Sequence, residues 1–212
     1  MSDIKIRIAK PSDAGQIATI QQKIKEVNSL GIFCKMGHGF LKTYYKILIN
    51  DPSTVFTCAE NSRNEICGYG FSVLDAERQT NNLKKHKLKL MMSAIGSLIR
   101  NPFLLKELYS RYKSIENNNS NYLHSTGAHG GYWGWDPDIS DAESSMIFHE
   151  IGLKIMNLLG VDILHFEVDT ANKNVYRFHK LNGAKTEKVF MLPDGRERAF
   201  MYYELNNHKY KF

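Results

Sequence analysis

The stretch that most constrains this chain runs over residues 132–184. It opens on the aromatic and glycine run Tyr132, Trp133, Gly134 and Trp135, passes Asp136 and Pro137 into a polar turn, and continues as an apolar-periodic run to Leu159. A short buried strand is expected over 163–168, then a helical segment over 172–182 that stops at Gly183. In order this is strand, turn, helix, strand, helix, glycine. A strand feeding a turn and then a helix N-terminus aims free backbone N–H groups and the positive end of the helix dipole at the turn, a phosphate-binding geometry. The remaining residues must then supply the rest of a sheet and one large insertion.

The upstream pattern fits that demand. Ile4, Ile6 and Ile8 alternate with Lys5 and Arg7, the period of a half-buried strand. Pro11, Ser12 and Asp13 break it and start a helix carrying Ile17, Ile20 and Ile24. Phe40, Leu41, Tyr44, Tyr45, Leu48 and Ile49 make a second helical stripe, ended at Asp51 and Pro52. Residues 54–60 and 66–74 read as a hairpin, and Gly68 and Gly70 inside it imply a bulge or a close backbone approach. Residues 75–82 read as a polar loop. Leu88, Met91, Met92, Ile95, Leu98 and Ile99 then share one helical face, and Phe103, Leu105, Leu108, Tyr109 and Tyr112 another, before an Asn-rich loop over 116–121. Downstream, Met146, Ile147, Ile151, Ile155, Leu158 and Leu159 predict a core-facing helix, and Val175, Phe178 and Leu181 the inward side of a shorter one. Strands over 185–191 and 199–205 are joined by a turn at Pro193, Asp194 and Gly195.

Composition narrows the class. With 212 residues, 42% hydrophobic and 24% charged, the chain suits a single domain with an insertion at about 77–120 and is not disordered. No run of about 18 apolar residues exists, so no membrane span is expected. The N-terminus lacks a signal-peptide core, and three cysteines (Cys34, Cys58, Cys67) without metal-ligand spacing read as reduced thiols. The expectation is a cytoplasmic protein with no metal. The net charge of +6 is concentrated: residues 77–113 hold nine Lys and Arg against Glu77 and Glu107. A basic amphipathic segment of this kind has a solvated face, or lies on an anionic membrane or nucleic acid. Nucleic acid is the weaker reading, because no stacking aromatics interleave the lysines at 84–89.

At 172–184 the sequence resembles the GNAT superfamily of acyl-CoA-dependent N-acyltransferases. The family shows Asn-x-x-Ala-x-x-x-Tyr-x-x-x-Gly-Phe, and this chain gives Asn172, Val175, His179, Gly183 and Ala184 at that spacing. The opening residues 6–13 and the hairpin around Ala59, Glu60, Gly68, Tyr69 and Gly70 are similar to the family's first three strands and first helix start. The resemblance implies an α/β fold (an α+β mixed sheet): a central, mostly antiparallel sheet flanked by helices, with a helical insertion between the third and fourth strands. It implies transfer of an acyl group, most simply acetyl, from CoA to a primary amine of a small molecule, with a homodimer left open. The basic insertion, placed beside the acceptor cleft, would favour an anionic acceptor such as a nucleotide-linked amino sugar.

The same resemblance assigns site residues. The pyrophosphate loop, Gln/Arg-x-x-Gly-x-Gly/Ala, falls on Ser140, Asp141, Ala142, Glu143, Ser144 and Ser145, where its basic residue and first glycine are absent. Glu143 obstructs a phosphate approach, and Asp136, Asp138 and Asp141 add the wrong charge. Ser140 with Glu143 also reads as a capping box that needs no ligand. These departures open a second reading, a GNAT-like scaffold that has lost CoA binding and acts as a binding module. His179 takes the position of the family's general acid, as a histidinium or through a neutral N–H, and His129 falls where a general base often stands. Trp133, Gly134 and Trp135 would lend backbone groups to the pantetheine arm, and Asn172 would lie near CoA or act as an N-cap. His149 and Glu150 read as a solvated helix face.

Overall fold

The computed structural model describes residues 4–27, 35–106, 126–192 and 195–207. Cys34, the insertion beyond residue 106 with Arg111 and Lys113, the Asn-rich loop, and Pro193 and Asp194 lie outside the described residues. The elements run β1 (Lys5–Ile8), α1 (Ala14–Val27), α2 (His38–Ile49), β2 (Thr54–Glu60), β3 (Ile66–Val73), α3 (Ala76–Lys85) and α4 (Lys87–Arg100). They continue as β4 (His129–Trp135), α5 (Ala142–Leu158), β5 (Ile163–Asp169), α6 (Lys173–Leu181), β6 (Lys185–Met191) and β7 (Glu197–Glu204). The strands form one seven-stranded sheet in the order β1-β2-β3-β4-β5-β7-β6. Every neighbouring pair is antiparallel except β4 and β5. This is the mixed, mostly antiparallel sheet flanked by helices that the resemblance implies.

Two apolar clusters hold helices to opposite faces. On one face Ile17 of α1 and Leu41 and Leu48 of α2 pack on Phe56 and Tyr69. A polar knot sits inside this cluster: the hydroxyls of Tyr45 and Tyr69 both donate to Oε1 of Gln21. On the other face Leu153 and Met156 of α5 pack on Leu164, Phe166 and Met201. Strand alternation carries this division, since neighbouring side chains point to opposite sides. Phe56 and Cys58 face α1 and α2, while Val55 packs with the α5 cluster.

Four expectations are corrected here. Residues 76–85 form a helix rather than a loop; Asp75 caps it, its carboxylate accepting from the Arg78 N–H at 3.0 Å. The segment is polar apart from Ala76 and Leu83, too few apolar residues to make a stripe, and the cap supplies its start. The inward face of α5 is Phe148, Leu153 and Met156, whereas Met146, Leu158 and Leu159 are exposed. That helix is apolar nearly all round, so periodicity does not fix its rotation. In α6, Leu181 is exposed and His179 is the buried residue. β5 is also only half-buried: Leu164, Phe166 and Val168 are inside, whereas Ile163 is exposed.

Candidate active site

The site begins with a failure of pairing. The parallel β4–β5 ladder contains one register pair, His129 with His165. Beyond it the strands separate, so β4 from Gly130 to Trp135 has no ladder partner on its β5 side. On the other edge of β4, the β3–β4 register shifts between Gly70 and Ser72. Large side chains crowd the β4 glycines: Phe71 lies against Gly131, and Ile24 and Tyr69 against Gly134. Gly68 is required here: a Cβ on it would lie 2.3 Å from the Trp135 ring. The two glycines of β3 thus mark a close approach, as the sequence implies.

A cavity of about 710 Å³ fills the gap. Gln21, Tyr44 and Tyr45 line it on the α1–α2 side, and His149, His179 and Tyr203 on the α5–α6 side. A cavity lined from both faces passes through the sheet, so two reactants entering from opposite sides meet between β4 and β5. Its size lies within the ordinary range for small-molecule sites.

The α5–α6 side is aromatic and uncharged. Nδ1 of His179 and the hydroxyl of Tyr203 share a hydrogen bond of 2.8 Å. Phe166 lies 4.5 Å from the His179 ring, and His149 and Phe178 each lie 5.3 Å away. Burial pushes the His179 pKa down to about 4, so the ring is neutral at neutral pH. Of the two chemical forms expected for it, the neutral imidazole is the one this pocket holds. Burial, and secondarily the charge of Glu150, raise the Tyr203 pKa. His149 and Glu150 are not a solvated face: His149 lines the cavity and packs 5.3 Å from Trp133, and Glu150 is buried. The rotated α5 face is the reason.

The α1–α2 side carries charge. Directly paired residues of a ladder point to the same face, so His129 and His165 share one side, with Glu167 two residues on. Glu167, its side chain 8% exposed, accepts from Nη1 of Arg198 at 2.7 Å through Oε2. Its Oε1 is buried and, among the described residues, has no hydrogen-bond partner. Asp169 pairs in the same way with Arg196 at 3.2 Å. His129, Glu167, Asp169 and Arg198 all line the cavity. Glu167 is the functional candidate that sequence reasoning missed. Its signal was the alternation of β5, where His165, Glu167 and Asp169 occupy the side opposite the buried Leu164, Phe166 and Val168.

The α5 N-terminus differs from the capping-box reading. Asp141, not Ser140, is the N-cap: its carboxylate accepts from the Ser144 N–H at 2.9 Å, so Ser140 and Glu143 form no capping box. The N–H groups of Ala142 and Glu143 occupy the first two helical positions, which have no intrahelical acceptor. Of residues 140–145, Ser145 lines the cavity. Lys23 of α1 bridges both Asp136 at 2.8 Å and Asp138 at 2.7 Å, so one positive charge is shared between two of the surrounding acids. Asp141 and Glu143 add two more acids at the turn. Asn172 is the N-cap of α6, accepting from the Val175 N–H at 3.3 Å. Trp133, Gly134 and Trp135 line the cavity, and the Trp135 indole donates to the Ile139 carbonyl at 3.1 Å. In the insertion, Gln79 borders the cavity, but Lys84, Lys85, Lys87 and Lys89 do not. Cys58 and Cys67 are buried free thiols, and burial pushes Cys58 up to about 12. Among the described residues no three His, Cys, Asp or Glu side chains could hold a metal, and no helix is long and apolar enough to cross a membrane.

No protein-family model and no curated protein matches the sequence. Solved structures do match in shape. A chimera of the spermidine N-acetyltransferase SpeG from Vibrio cholerae with hSSAT is 12% identical, with TM-score 0.59 over 97% of each chain. The yncA protein of Salmonella typhimurium, solved with its cofactor acetyl-CoA, is 9% identical, with TM-score 0.59 over 97% of this chain and 96% of that one. A GNAT-family acetyltransferase from Streptococcus pneumoniae is 9% identical, with TM-score 0.57 over 94% of this chain and 98% of that one. The chain has the GNAT acetyltransferase fold.

Proposed function

We propose that this protein is an N-acyltransferase that moves an acyl group, most simply acetyl, from acyl-CoA to a primary amine of a small molecule. The observation that carries the reading is the through-sheet cavity, with the Glu167 carboxylate on one face and the His179–Tyr203 pair on the other. The gap fits the acyl-bearing arm: it exposes one edge of β4 from Gly130 to Trp135, where backbone groups are available to an extended chain. The N–H groups of Ala142 and Glu143 would take the phosphate end. Acyl-CoA supplies the thioester; the residues of the chain supply binding and proton transfer.

An amine attacks only as the free base, so the incoming ammonium must lose a proton. Oε1 of Glu167 is buried and, among the described residues, has no partner to compete for that proton, whereas Oε2 is held in place by Arg198. His129, at the closed end of the gap on the same face, is the second base. On the opposite face, His179 and Tyr203 offer a hydrogen bond to the departing sulfur without storing charge. Glu167 and Asp169 favour a cationic amine. A nucleotide-linked amino sugar stays in the screen, although the lysines that suggested an anionic acceptor stand outside the cavity lining.

Asp141 and Glu143 favour the second reading, a scaffold without CoA binding, because both place negative charge where a pyrophosphate would sit. Calorimetric titration with acetyl-CoA separates the two. One site per chain with micromolar affinity, followed by turnover in a screen of polyamines, amino acids and amino sugars, supports the enzyme. No binding of acetyl-CoA, longer acyl-CoA or CoA at millimolar concentration overturns it in favour of the scaffold.

A further inference from the structure

The insertion carries a feature that acyl transfer does not use. Helix α4 has two apolar faces. One packs on α2: Ala94 and Ser97 are buried, and the Ser97 hydroxyl accepts from the Gly37 N–H at 2.8 Å. The other points outward. Leu88 is 76% exposed, Met92 72% and Ile99 74%, with Met91 at 56% and Ile95 at 52% beside them. Among the described residues nothing covers this stripe. Phe103, just past the helix, extends the exposed apolar surface.

Charge lines one side of the stripe. At about 100° per residue, Lys89 and Arg100 fall together on one flank of it, while Lys87, exposed in the first turn, stands above the core-facing positions of Ala94 and Leu98 on the other side. Lys84 and Lys85 end α3 immediately before it. Over residues 76–106 the acidic side chain is Glu77, at the far end of α3. A soluble helix usually sets its apolar stripe against a core and its charges opposite. Here a core face, an exposed apolar stripe and a basic flank follow one another around one helix, with Lys84, Lys85 and Lys87 clustered at its start. An apolar stripe edged by cations matches a bilayer surface, where acyl chains take the stripe and lipid phosphates take the cations. The flexible Leu, Met and Ile side chains and the lack of stacking aromatics on α4 speak against a nucleic acid.

We infer that α4 is an interfacial helix that docks this protein on an anionic lipid bilayer, with Leu88, Met92, Ile95 and Ile99 in the acyl layer and Lys87, Lys89 and Arg100 at the headgroups. The attachment is peripheral and does not depend on the acyl-transfer reading.

The test is co-sedimentation of the full chain with two vesicle preparations, phosphatidylcholine alone and phosphatidylcholine with about a third phosphatidylglycerol. Partitioning into the anionic vesicles is expected to exceed the neutral ones by about tenfold or more, and to fall sharply at about 0.5 M salt. Leu88→Gln/Met92→Gln/Ile99→Gln alters only exposed side chains and should abolish binding with unchanged circular dichroism and melting. Lys87→Glu/Lys89→Glu should remove the preference for anionic lipid. No sedimentation with either vesicle overturns the proposal, as does equal binding to both. A dimer in light scattering that the glutamine variant splits, without vesicle binding, also overturns it and assigns the stripe to a second copy.

Discussion

The two faces of the β4–β5 gap handle protons by opposite means. On the α5–α6 face, His179 is walled in by aromatic rings and tied to Tyr203, and burial keeps both groups uncharged. On the α1–α2 face, Glu167 and Asp169 are ionic groups held by Arg198 and Arg196. Both faces are partly buried, yet one lines the cavity with uncharged rings and the other with paired charges. The difference follows from partners: each carboxylate has a guanidinium as its counter-charge, whereas the imidazole of His179, among Phe166, Phe178 and Tyr203, has a hydroxyl as its hydrogen-bond partner. A reaction that removes a proton on one side of the sheet and meets a leaving sulfur on the other has use for this asymmetry.

The sharpest way to break the comparison is Glu167→Gln. The amide keeps the shape and can still accept from Arg198, so the fold should survive, but the base is gone. Turnover should fall about 10²-fold or more, with acetyl-CoA affinity in calorimetry unchanged. A variant that loses both activity and CoA binding would make Glu167 a structural partner of Arg198 instead. His129→Gln tests the second base in the same assay, and a smaller loss than that of Glu167→Gln is expected, since its ring stands at the closed end of the gap.

The uncharged face makes a prediction about stability. His179 has a folded-state pKa of about 4, below its ordinary value. Between the two values the unfolded chain binds more protons than the folded one, so stability rises with pH through that window. The contribution is complete above the ordinary imidazole range and is lost as pH falls toward 4. Urea unfolding at pH 7 and pH 5 should therefore differ by about 2 kcal/mol from this residue. His179→Phe removes the ionisation and should flatten that slope, although it also leaves the Tyr203 hydroxyl without its partner. An unchanged slope in the variant would place the acid sensitivity elsewhere.

Much of this arrangement was legible in the sequence, and the losses have identifiable causes. Strand β6 falls on the residues that alternation and the turn at Gly195 marked, and the order of elements follows from turn and cap residues. These signals are local. The helical state of 76–85 was hidden because a polar helix shows no stripe. His149 was placed in solvent because α5 carries apolar residues on more than one side, and its rotation is set by which side chains fit the sheet. Glu167 was passed over because the register that puts it beside His129 across the gap is a tertiary fact. The pairing of Asp136 and Asp138 with Lys23 is likewise invisible locally, since the partners are 113 residues apart for Asp136.

The smallest effect concerns the turn where the gap opens to the α5 N-terminus. Because Asp141 is the cap and Glu143 is exposed in the first turn, the two acids have separable jobs. Asp141→Ala should cost about 1 kcal/mol of stability, the usual price of a lost N-cap. Glu143→Gln removes a charge that neither caps nor packs, so stability should fall by only a few tenths of a kcal/mol, the helix-dipole term at an exposed first turn. Its effect should appear in ligand binding instead. If the Ala142 and Glu143 N–H groups receive a pyrophosphate, relieving the repulsion should tighten acetyl-CoA by about threefold at low salt and less at high salt. Unchanged affinity at both salts would place the phosphates away from this helix, and the resemblance to the family's loop would then be one of backbone path alone.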